Sequence, residues 1–323
     1  MFANQQILVT GGAGFIGSHL TSALVAQGAN VRVLDNLSSG SLDNLNGLDI
    51  SFVEGDVTDF EVVQTAVSGC DLIFHQAAMV SVPRSLKEPV LNHHTNVTGT
   101  FNVLEAGRQS GVKRIVYASS AAVYGDKNSI PHQEDHALFP VTPYAAAKQM
   151  DEVMASTYAR AFGLEAVGLR YMNVFGPRQD PSSPYSGVLS IFCQAALNNQ
   201  MCTIYGDGEQ TRDFIFVADV VRANLLAAQL PSGQIPELPV FNVGGGKQTS
   251  LNEIVDLLGR VVERPLLTNY QPARQGDIRH SVADISRARK VLNFEPQESL
   301  ATGLEKTISW FRTNNVKAGK SLK

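Results

Sequence analysis

Tyr144 and Lys148 stand four positions apart in this chain of 323 residues. On a helix such positions share one face, and Pro143 is well suited to the first turn of that helix. A free tyrosine titrates at about pH 10, too high for an efficient base at neutrality, but a neighbouring ammonium stabilises the phenolate. The pair therefore predicts a catalytic tyrosine base, with the lysine as its activator.

Two serines, Ser119 and Ser120, directly follow the apolar run Arg114–Ala118, which predicts a β-strand. Ligands of parallel sheets bind at the carboxyl ends of the strands. A serine hydroxyl at that place can donate a hydrogen bond to the substrate oxygen from which Tyr144 takes a proton. Ser120 is therefore the third candidate catalytic residue.

Three glycines lie between a first predicted strand and a helix that opens at Phe15. In a dinucleotide-binding turn, the first glycine permits the tight turn, the second lets a diphosphate approach the backbone and the third lets helix and strand pack closely. The helix N-terminus then offers free N–H groups to the phosphates. The candidate cofactor residues of this turn are Gly11, Gly14, Phe15, Ile16 and Gly17.

Asp35 ends the second predicted strand, where a carboxylate accepts hydrogen bonds from the adenosine ribose. No arginine follows at Asn36 or Leu37 to receive a 2′-phosphate, so the sequence favours NAD over NADP. Ser38 and Gly40 continue this loop as further cofactor candidates. Asp56 and Val57 follow the third predicted strand, where a dinucleotide-binding fold brings side chains to the adenine. For Asp56, a structural role as a helix cap is an equally good explanation.

Short apolar runs alternate with longer amphipathic stretches in the first half of the chain. The predicted strands are Gln6–Thr10, Asn30–Leu34, Ile50–Val53, Leu72–His75, Arg114–Ala118 and Glu165–Leu169. The predicted helices are Phe15–Gln27, Phe60–Val67, Pro89–Ser110 and Tyr144–Phe162. Consecutive apolar residues suit parallel strands that are covered on both faces. The sequence therefore predicts the α/β class, with a Rossmann-type, doubly wound parallel sheet.

The alternation breaks after residue 176, where glycine and proline recur. Further helical stretches at 187–198, 218–230, 251–262 and 284–292 predict a smaller, mixed α/β lobe for the substrate. We expect an NAD-binding domain over residues 1–176, a substrate lobe over 177–316 and a tail over 317–323, with the chain free to cross between the lobes.

Composition argues against several classes of protein. The net charge is −4 and no long basic run precedes the tail, so no nucleic-acid partner is expected. No apolar run approaches the roughly 18 residues of a membrane span. Three widely spaced cysteines and the lack of a signal-peptide pattern indicate a cytoplasmic protein. The histidines show no convincing ligand spacing, so no metal site is expected.

Several motifs together resemble the extended short-chain dehydrogenases, and more narrowly the UDP-hexose 4-epimerases. Besides the glycine turn and the Tyr144/Lys148 pair, they are Ser120–Gly125, Arg170–Val174, Tyr205–Gly208, Gln210–Phe214 and Arg274–Asp277. The resemblance implies an NAD-dependent enzyme that inverts C4 of a UDP-hexose through a 4-keto sugar. It also implies a homodimer, whose interface is formed by the helix after Pro89 and the helix from Tyr144.

The resemblance also assigns roles to individual residues. Lys148 is implied to contact the nicotinamide ribose as well as the base. The further cofactor residues are Gln76, Ala77, Ala78, Asn96, Ser119 and Tyr171, where Gln76 replaces a leucine that is common in the family. The substrate-binding residues are Ser81, Ser120, Tyr124, Asn173, Val188, Tyr205, Arg212, Arg274, Asp277 and Ser281. Among these, Asn173 and the two arginines are implied to hold the diphosphate, and Asp277 the uridine ribose.

Other activities on the same scaffold are weighed against epimerisation. Dehydratases of the family carry an Asp-Glu pair where this chain has Ala121 and Ala122, and decarboxylases usually carry Glu at the latter position. A UDP-uronate epimerase or decarboxylase remains the alternative, because recognition of a substrate carboxylate is hard to see in a sequence. A non-catalytic dinucleotide-binding regulator is a third hypothesis, which the retained tyrosine and lysine disfavour.

Ser281 lies four positions beyond Asp277, where the resembling epimerases have a residue beside C2 of the sugar. A tyrosine there closes the pocket, whereas serine leaves room for an acetamido group. We therefore predict that N-acetylated UDP-hexoses are accepted as well as plain ones. The alternative is that Ser281 is an incidental loop residue and another side chain closes the pocket.

Overall fold

The computed structural model describes residues 2–127, 129–180, 187–273 and 278–320. Its strands are β1 (Gln6–Thr10), β2 (Asn30–Asp35), β3 (Ile50–Glu54), β4 (Leu72–His75), β5 (Arg114–Ser120), β6 (Glu165–Tyr171), β7 (Asn173–Phe175), β8 (Cys202–Tyr205), β9 (Thr211–Arg212), β10 (Phe214–Phe216), β11 (Val240–Val243), β12 (Thr249–Ser250) and β13 (Thr268–Gln271).

Helices occupy most of the remaining described chain. They are α1 (Phe15–Ala26), α2 (Phe60–Val67), α3 (Val82–Lys87), α4 (Pro89–Asn92), α5 (Gly99–Gln109), α6 (Pro143–Phe162), α7 (Val188–Asn198), α8 (Val217–Gln229), α9 (Leu251–Val261), α10 (Ser286–Leu292) and α11 (Leu300–Lys320). A π-helical stretch, His93–Thr98, joins α4 to α5, and short 3₁₀ turns occur at Leu42–Leu45, Ala121–Tyr124 and Ser232–Gln234.

Within the described ranges, seven parallel strands form the central sheet in the order β11-β6-β5-β4-β1-β2-β3. The six strands predicted from the sequence all occur, and four of them extend one or two residues further. The seventh, β11, comes from the C-terminal half and was missed, because a run of four residues among loops gives too weak a pattern. The predicted Rossmann-type α/β fold is confirmed.

Burial explains why the strands have so little alternation. All residues of β4 and β11 are buried, and helices cover both faces of the sheet. On one face α1 packs against α8, and on the other α2 packs against α5. Strands in this position have no polar face, so apolar residues occupy consecutive positions.

The C-terminal half adds a second apolar core, which includes residues of α7, α9 and α11. In the described part of the chain, three two-stranded sheets border it, namely β10-β7, β12-β9 and β13-β8. Helix α11 had not been predicted, and its bounds include the first residues of the expected tail. The domain boundary at residue 176 stays a prediction, since β11 and α8 of the C-terminal half join the central sheet layer.

A buried ion pair fastens α6 to the central sheet. Arg170 of β6 donates from Nε and Nη2 to the two carboxylate oxygens of Glu152, at 2.8 and 2.7 Å. Ser119 of β5 donates to the same carboxylate at 2.5 Å. The arginine and the glutamate are 1% and 7% exposed, so neither charge has access to bulk water. Burial opposes the guanidinium charge, but Glu152 and Tyr124 keep the pKa of Arg170 above its ordinary value.

We predict that Glu152→Gln destabilises the protein by about 3–5 kcal/mol, because it leaves Arg170 as a buried charge without its counter-charge. The free energy of unfolding in urea measures the effect. The matched control is Glu237→Gln, whose carboxylate is 93% exposed and lies 3.8 Å from Arg160. An exposed pair of that kind contributes about 0–1 kcal/mol. Equal stability losses in both variants would contradict the structural role of Glu152.

Candidate active site

The glycine turn between β1 and α1 has no room for side chains. Gly11 has φ +67°, and a Cβ there would meet the backbone N of Ala77 at 2.6 Å. At Gly17 a Cβ would lie 2.1 Å from the carbonyl oxygen of Gly11. Gly14 is the N-cap of α1, with no side-chain hydrogen bond to the first turn among the described residues. The N–H groups at this end of α1 are therefore available to an anion, and Phe15 and Ile16 begin the helix behind them.

Asp35 fixes the glycine turn from the end of β2. Its two oxygens accept hydrogen bonds from the backbone N–H groups of Ala13, at 2.9 Å, and Leu37, at 2.8 Å. A carboxylate can accept about four hydrogen bonds, which leaves capacity for ribose hydroxyls. A negative group in this place also repels a 2′-phosphate. The position thus supports the predicted preference for NAD.

The loop after Asp35 folds over the glycine turn. Asn36 accepts a hydrogen bond from the backbone of Ser38 at 3.0 Å. Gly40 packs so closely on Ala13 that a Cβ would approach it to 2.9 Å. The backbone N–H of Ser41 donates to the carbonyl of Ala13 at 3.1 Å. These contacts place the predicted loop residues beside the turn.

Asp56 links the ends of two strands and does not cap a helix. Its carboxylate accepts hydrogen bonds from Asn36, at 2.7 Å, and from the backbone and hydroxyl of Thr58, at 2.9 and 2.8 Å. Burial acts to raise the pKa of Asp56, but these bonds outweigh it and the pKa lies below its ordinary value. Asp59 is the cap of α2. The helix-cap alternative is therefore wrong, whereas the role of Asp56 and the buried Val57 near an adenine stays a prediction.

Gln76, the departure from the family pattern, has polar partners of its own. Its amide nitrogen donates to Oδ1 of Asn224 at 3.1 Å, and its carbonyl oxygen accepts from the Tyr171 hydroxyl at 3.1 Å. Asn224 also donates to that hydroxyl at 2.8 Å. The triangle joins the ends of β4 and β6 to α8. Asn224 was missed in the sequence, although a lone amide inside an apolar helical stretch is the signal that could have revealed it.

Asn96 shapes the chain that leaves β4. It accepts from the backbone N–H of Met79 at 2.8 Å and donates to the carbonyl of the same residue at 3.3 Å. It also donates to Asn92 at 2.9 Å, and Asn92 donates to the carbonyl of Pro143 at 3.0 Å. These bonds tie the stretch that contains Ala77 and Ala78 to the start of α6.

The predicted base and its activator lie on the first turns of α6. Thr142 caps the helix by accepting from the backbone of Ala145, and Pro143 is its first residue. Tyr144 is 7% exposed and Lys148 is 2% exposed. Lys148 donates to Asp151 at 3.1 Å. The helix confirms the geometry expected of the pair, while the roles of both residues stay predictions.

The two serines at the end of β5 have different partners. Ser120 accepts a hydrogen bond from the backbone of Ala122 at 3.2 Å and opens the 3₁₀ turn that packs against α6. Ser119 is buried and donates to Glu152, so its hydroxyl serves the structure in this arrangement. Ser120 is thus the better placed of the two for contact with a substrate.

Several residues predicted for the substrate lie along one edge of the C-terminal lobe. Asn173, which is exposed, donates to the carbonyl of Asp213 at 3.0 Å. Arg212 ends β9, directly before Asp213, and donates to the carbonyl of Thr211 at 2.9 Å. The backbone N–H of Ser281 donates to that same carbonyl at 3.2 Å. The structure therefore brings Asn173, Arg212 and Ser281 into one neighbourhood.

Asp213 holds this edge together and had no role in the sequence analysis. Its carboxylate accepts from the backbone N–H groups of Gly245, at 2.6 Å, Gly246, at 3.1 Å, and Ala283, at 3.1 Å. Burial raises the pKa of Asp213 to about 6, and these three bonds act in the opposite direction. Tyr205 ends β8 nearby in sequence, and its carbonyl accepts from Gln210 at 2.6 Å.

Tyr124, which the family resemblance assigns to the sugar, has its described partners in the core. Its side chain is fully buried, and its hydroxyl donates to Asn242 at 2.6 Å and accepts from Arg170 at 2.8 Å. Its ring stacks on His132 at 4.6 Å, and burial raises its pKa to about 12. In this arrangement Tyr124 is bound into the core under the site, and its predicted role beside a sugar stays a prediction.

The remaining predicted residues are more dispersed. Ser81 caps α3 by accepting from the backbone of Arg84 at 3.0 Å. Val188 is half-buried at the start of α7. Arg274 and Asp277 lie outside the described residues.

The donor set fits a dinucleotide and offers no metal centre. Gly11 and Gly17 leave no room for a Cβ, the end of α1 is open to a diphosphate and Asp35 stands at the ribose position. Across the described ranges, no group of three or more His, Cys, Asp or Glu side chains is arranged to hold a metal ion. In the same ranges, no helix is both long and apolar enough to span a membrane.

Comparison with known proteins agrees with this site. Residues 7–244 match the model of the NAD dependent epimerase/dehydratase family. The UDP-glucose 4-epimerase of Mycolicibacterium smegmatis is 41% identical over 317 residues, which cover 96% of this chain and 100% of the relative.

Two solved structures share the fold over nearly their whole length. The UDP-glucose 4-epimerase of Thermotoga maritima with UDP-glucose has a TM-score of 0.91 and 39% identity, covering 96% of this chain and 100% of that one. The UDP-N-acetylglucosamine 4-epimerase of Methanobrevibacter ruminantium, in complex with UDP-N-acetylmuramic acid, has a TM-score of 0.91 and 37% identity, covering 97% and 99%. The resemblance stated from the motifs is confirmed: the chain belongs to the NAD dependent epimerase/dehydratase family.

Proposed function

We propose that this protein is an NAD-dependent 4-epimerase of UDP-hexoses. The observation that carries the proposal is the burial of Tyr144 and Lys148 on the first turns of α6, next to the 3₁₀ turn opened by Ser120. The names of the relatives, UDP-glucose and UDP-N-acetylglucosamine 4-epimerases, support the substrate class. Ala121 and Ala122 supply no acid for a dehydratase and no glutamate for a decarboxylase.

Each residue then has a defined task. Tyr144 takes the proton of the sugar 4-hydroxyl and later returns it to the oxygen of the 4-keto sugar. Lys148 stabilises the phenolate, and Ser120 donates a hydrogen bond to the reacting oxygen. Bound NAD supplies a reversible hydride acceptor. Because the same proton and hydride return to the sugar, the cofactor is not consumed.

The glycine turn and the open end of α1 hold the diphosphate of the cofactor, and Asp35 its ribose. At the opposite edge, Arg212 and Asn173 hold the diphosphate of the substrate, since a guanidinium matches phosphate oxygens in pairs. A sugar held only through its diphosphate is free to turn over and present its other face.

We predict that Tyr144→Phe lowers turnover of UDP-galactose by roughly 10²–10⁴-fold while bound NAD is unchanged, because the ring still packs but no proton can be transferred. Chromatography of the sugar products and extraction of the cofactor measure the two quantities. The control is Tyr158→Phe on the same helix, which removes a hydroxyl that donates to Glu105 at 3.1 Å. Turnover by Tyr144→Phe above about a tenth of the wild-type rate would show that Tyr144 is not the base.

The substrate range is proposed to include N-acetylated UDP-hexoses. Ser281 is half-buried at the edge that carries Arg212, and its backbone bond to Thr211 fixes its position. A serine at this place occupies far less volume than a tyrosine, and a packed pocket does not yield room for several additional atoms.

We expect Ser281→Tyr to lose turnover of UDP-N-acetylglucosamine by roughly tenfold or more while it keeps most of its turnover of UDP-glucose. Rates with both sugars in wild type and variant provide the test, and UDP-glucuronate in the same panel tests the uronate alternative. Equal losses on both sugars, or a wild-type enzyme inactive on the N-acetylated sugar, would rule out Ser281 as the gate.

We further propose a homodimer through the helices that follow β4 and through α6. These elements expose large apolar side chains: Leu86, Val90, Leu91, Phe101, Met150, Val153 and Phe162. Val90 is 70% exposed and Val153 is 60% exposed. Contiguous apolar surface of this kind marks an interface, and a two-fold pair is the commonest symmetric assembly.

The protein is also proposed to work in the cytoplasm, where its three buried free cysteines stay reduced.

The double variant Val90→Glu/Val153→Glu is expected to sediment at half the mass of the wild type, because carboxylates would be buried against an apolar surface. Met201→Glu is the control, since Met201 is also 60% exposed but lies just before β8. A monomeric wild type, or a dimeric double variant, would refute this interface.

A further inference from the structure

The catalytic lysine has a buried acidic partner that the sequence analysis did not single out. Lys148 Nζ lies 3.1 Å from Oδ2 of Asp151, three residues further along α6. The two side chains are only 2% and 1% exposed, so water does not screen this contact. The ammonium that is proposed to activate Tyr144 is therefore already engaged by a negative charge.

We propose that Asp151 is a positioning residue that holds the Lys148 ammonium in place and offsets part of its charge, and so sets the pH range in which Tyr144 acts as a base. The inference rests on the proposed role of Tyr144. Asp151 acts through Lys148 and does not itself touch the substrate.

Two titratable groups on the strands facing the pair, His75 and Tyr117, are neutral. From β4, His75 is bonded to the hydroxyls of Thr10, at 2.7 Å, and Thr100, at 3.1 Å. Burial and the nearby Lys148 lower the pKa of His75 to about 3, so it carries no charge in the working range. From β5, Tyr117 is buried, and burial together with Glu152 and Asp151 raises its pKa well above the ordinary value.

The acidic neighbour of Asp151 on α6 has its own cationic partner. Glu152, next to Asp151 on α6, is paired with Arg170 of β6 at 2.7 Å. From α5, Thr100 brings a hydroxyl next to the Asp151 carboxylate and no charge. Among these groups, Asp151 is the one in direct contact with the ammonium.

The sign of the effect follows from these charges. Burial raises the pKa of Asp151 to about 6, with Lys148 acting against the rise. Above that pH the carboxylate is charged and works against the phenolate. Asp151→Asn keeps the size and a hydrogen-bond acceptor but leaves the ammonium unopposed, so the phenol loses its proton at lower pH. Asp151 and Tyr144 are seven residues apart, which is about 10 Å along the helix. At an effective dielectric constant of about 20, a unit charge at that distance shifts the titration of the phenol by about one pH unit.

The experiment is a near-ultraviolet titration of the phenolate on the protein as purified, with its bound cofactor. Subtracting the signal of Tyr144→Phe from that of the wild type isolates Tyr144, and the same subtraction is made in the Asp151→Asn background. The midpoint is expected to fall by about one pH unit in Asp151→Asn, and the acidic limb of the kcat profile to move with it. The control Asp256→Asn removes an exposed carboxylate on α9 and should leave the midpoint in place.

Lys148→Met supplies a second comparison, in which no buried charge is left without a counter-charge. Without the ammonium, the buried Asp151 binds a proton, so adding Asp151→Asn to Lys148→Met should produce no further shift. An unchanged or raised midpoint in Asp151→Asn, or a shift that persists in the Lys148→Met background, would overturn the proposal. The titration does not depend on turnover, so a protein that shows the shift but converts no UDP-sugar would refute only the proposed function.

Discussion

The contact between Arg170 and Glu152 is the constraint on which the site depends. It joins α6, which carries Tyr144 and Lys148, to the strand next to the one that ends at Ser120. A buried ion pair is a poor way to gain stability, because desolvation of both charges offsets most of their attraction. Its value here is geometric: two parallel hydrogen bonds and a third from Ser119 fix the helix against the sheet. A slip along the sheet would leave two unpaired charges in the core.

Hydrogen bonds between polar side chains of different elements also fix the rest of the site. Polar side chains at the carboxyl ends of β4 and β6 are buried or half-buried and have partners on other elements, as in the triangle of Gln76, Tyr171 and Asn224. A buried polar group without a partner costs free energy, so these networks admit few alternative arrangements. The polar groups of the proposed cofactor site are therefore held by contacts within the protein itself.

The sequence predicted the features that depend on local pattern. Strand β5 and the helix from Pro143 follow from runs and periods of apolar residues, and the glycine turn follows from steric limits that only glycine meets. The sequence could not predict hydrogen bonds between distant positions. Nothing in the residues around Gln76 indicates its bond to Asn224, 148 residues away. The sequence offered Asp56 as a possible helix cap, whereas the N-cap of α2 is Asp59. Both are aspartates near the start of the helix, and only the path of the backbone decides which of them caps it.

Tyr124 shows a different limit, because a motif does not give the direction in which a side chain points. Its segment opens at Ser120 as expected, yet the tyrosine turns inward to Arg170 and Asn242. Asp151 and Glu152 show how much depends on direction. As neighbours on α6 they point about 100° apart on the helix, so one carboxylate reaches Lys148 and the other reaches Arg170 of the sheet. A rotation of about 100° thus separates the carboxylate that contacts Lys148 from the carboxylate that holds α6 to the sheet, and exchanging these two residues would disturb both contacts.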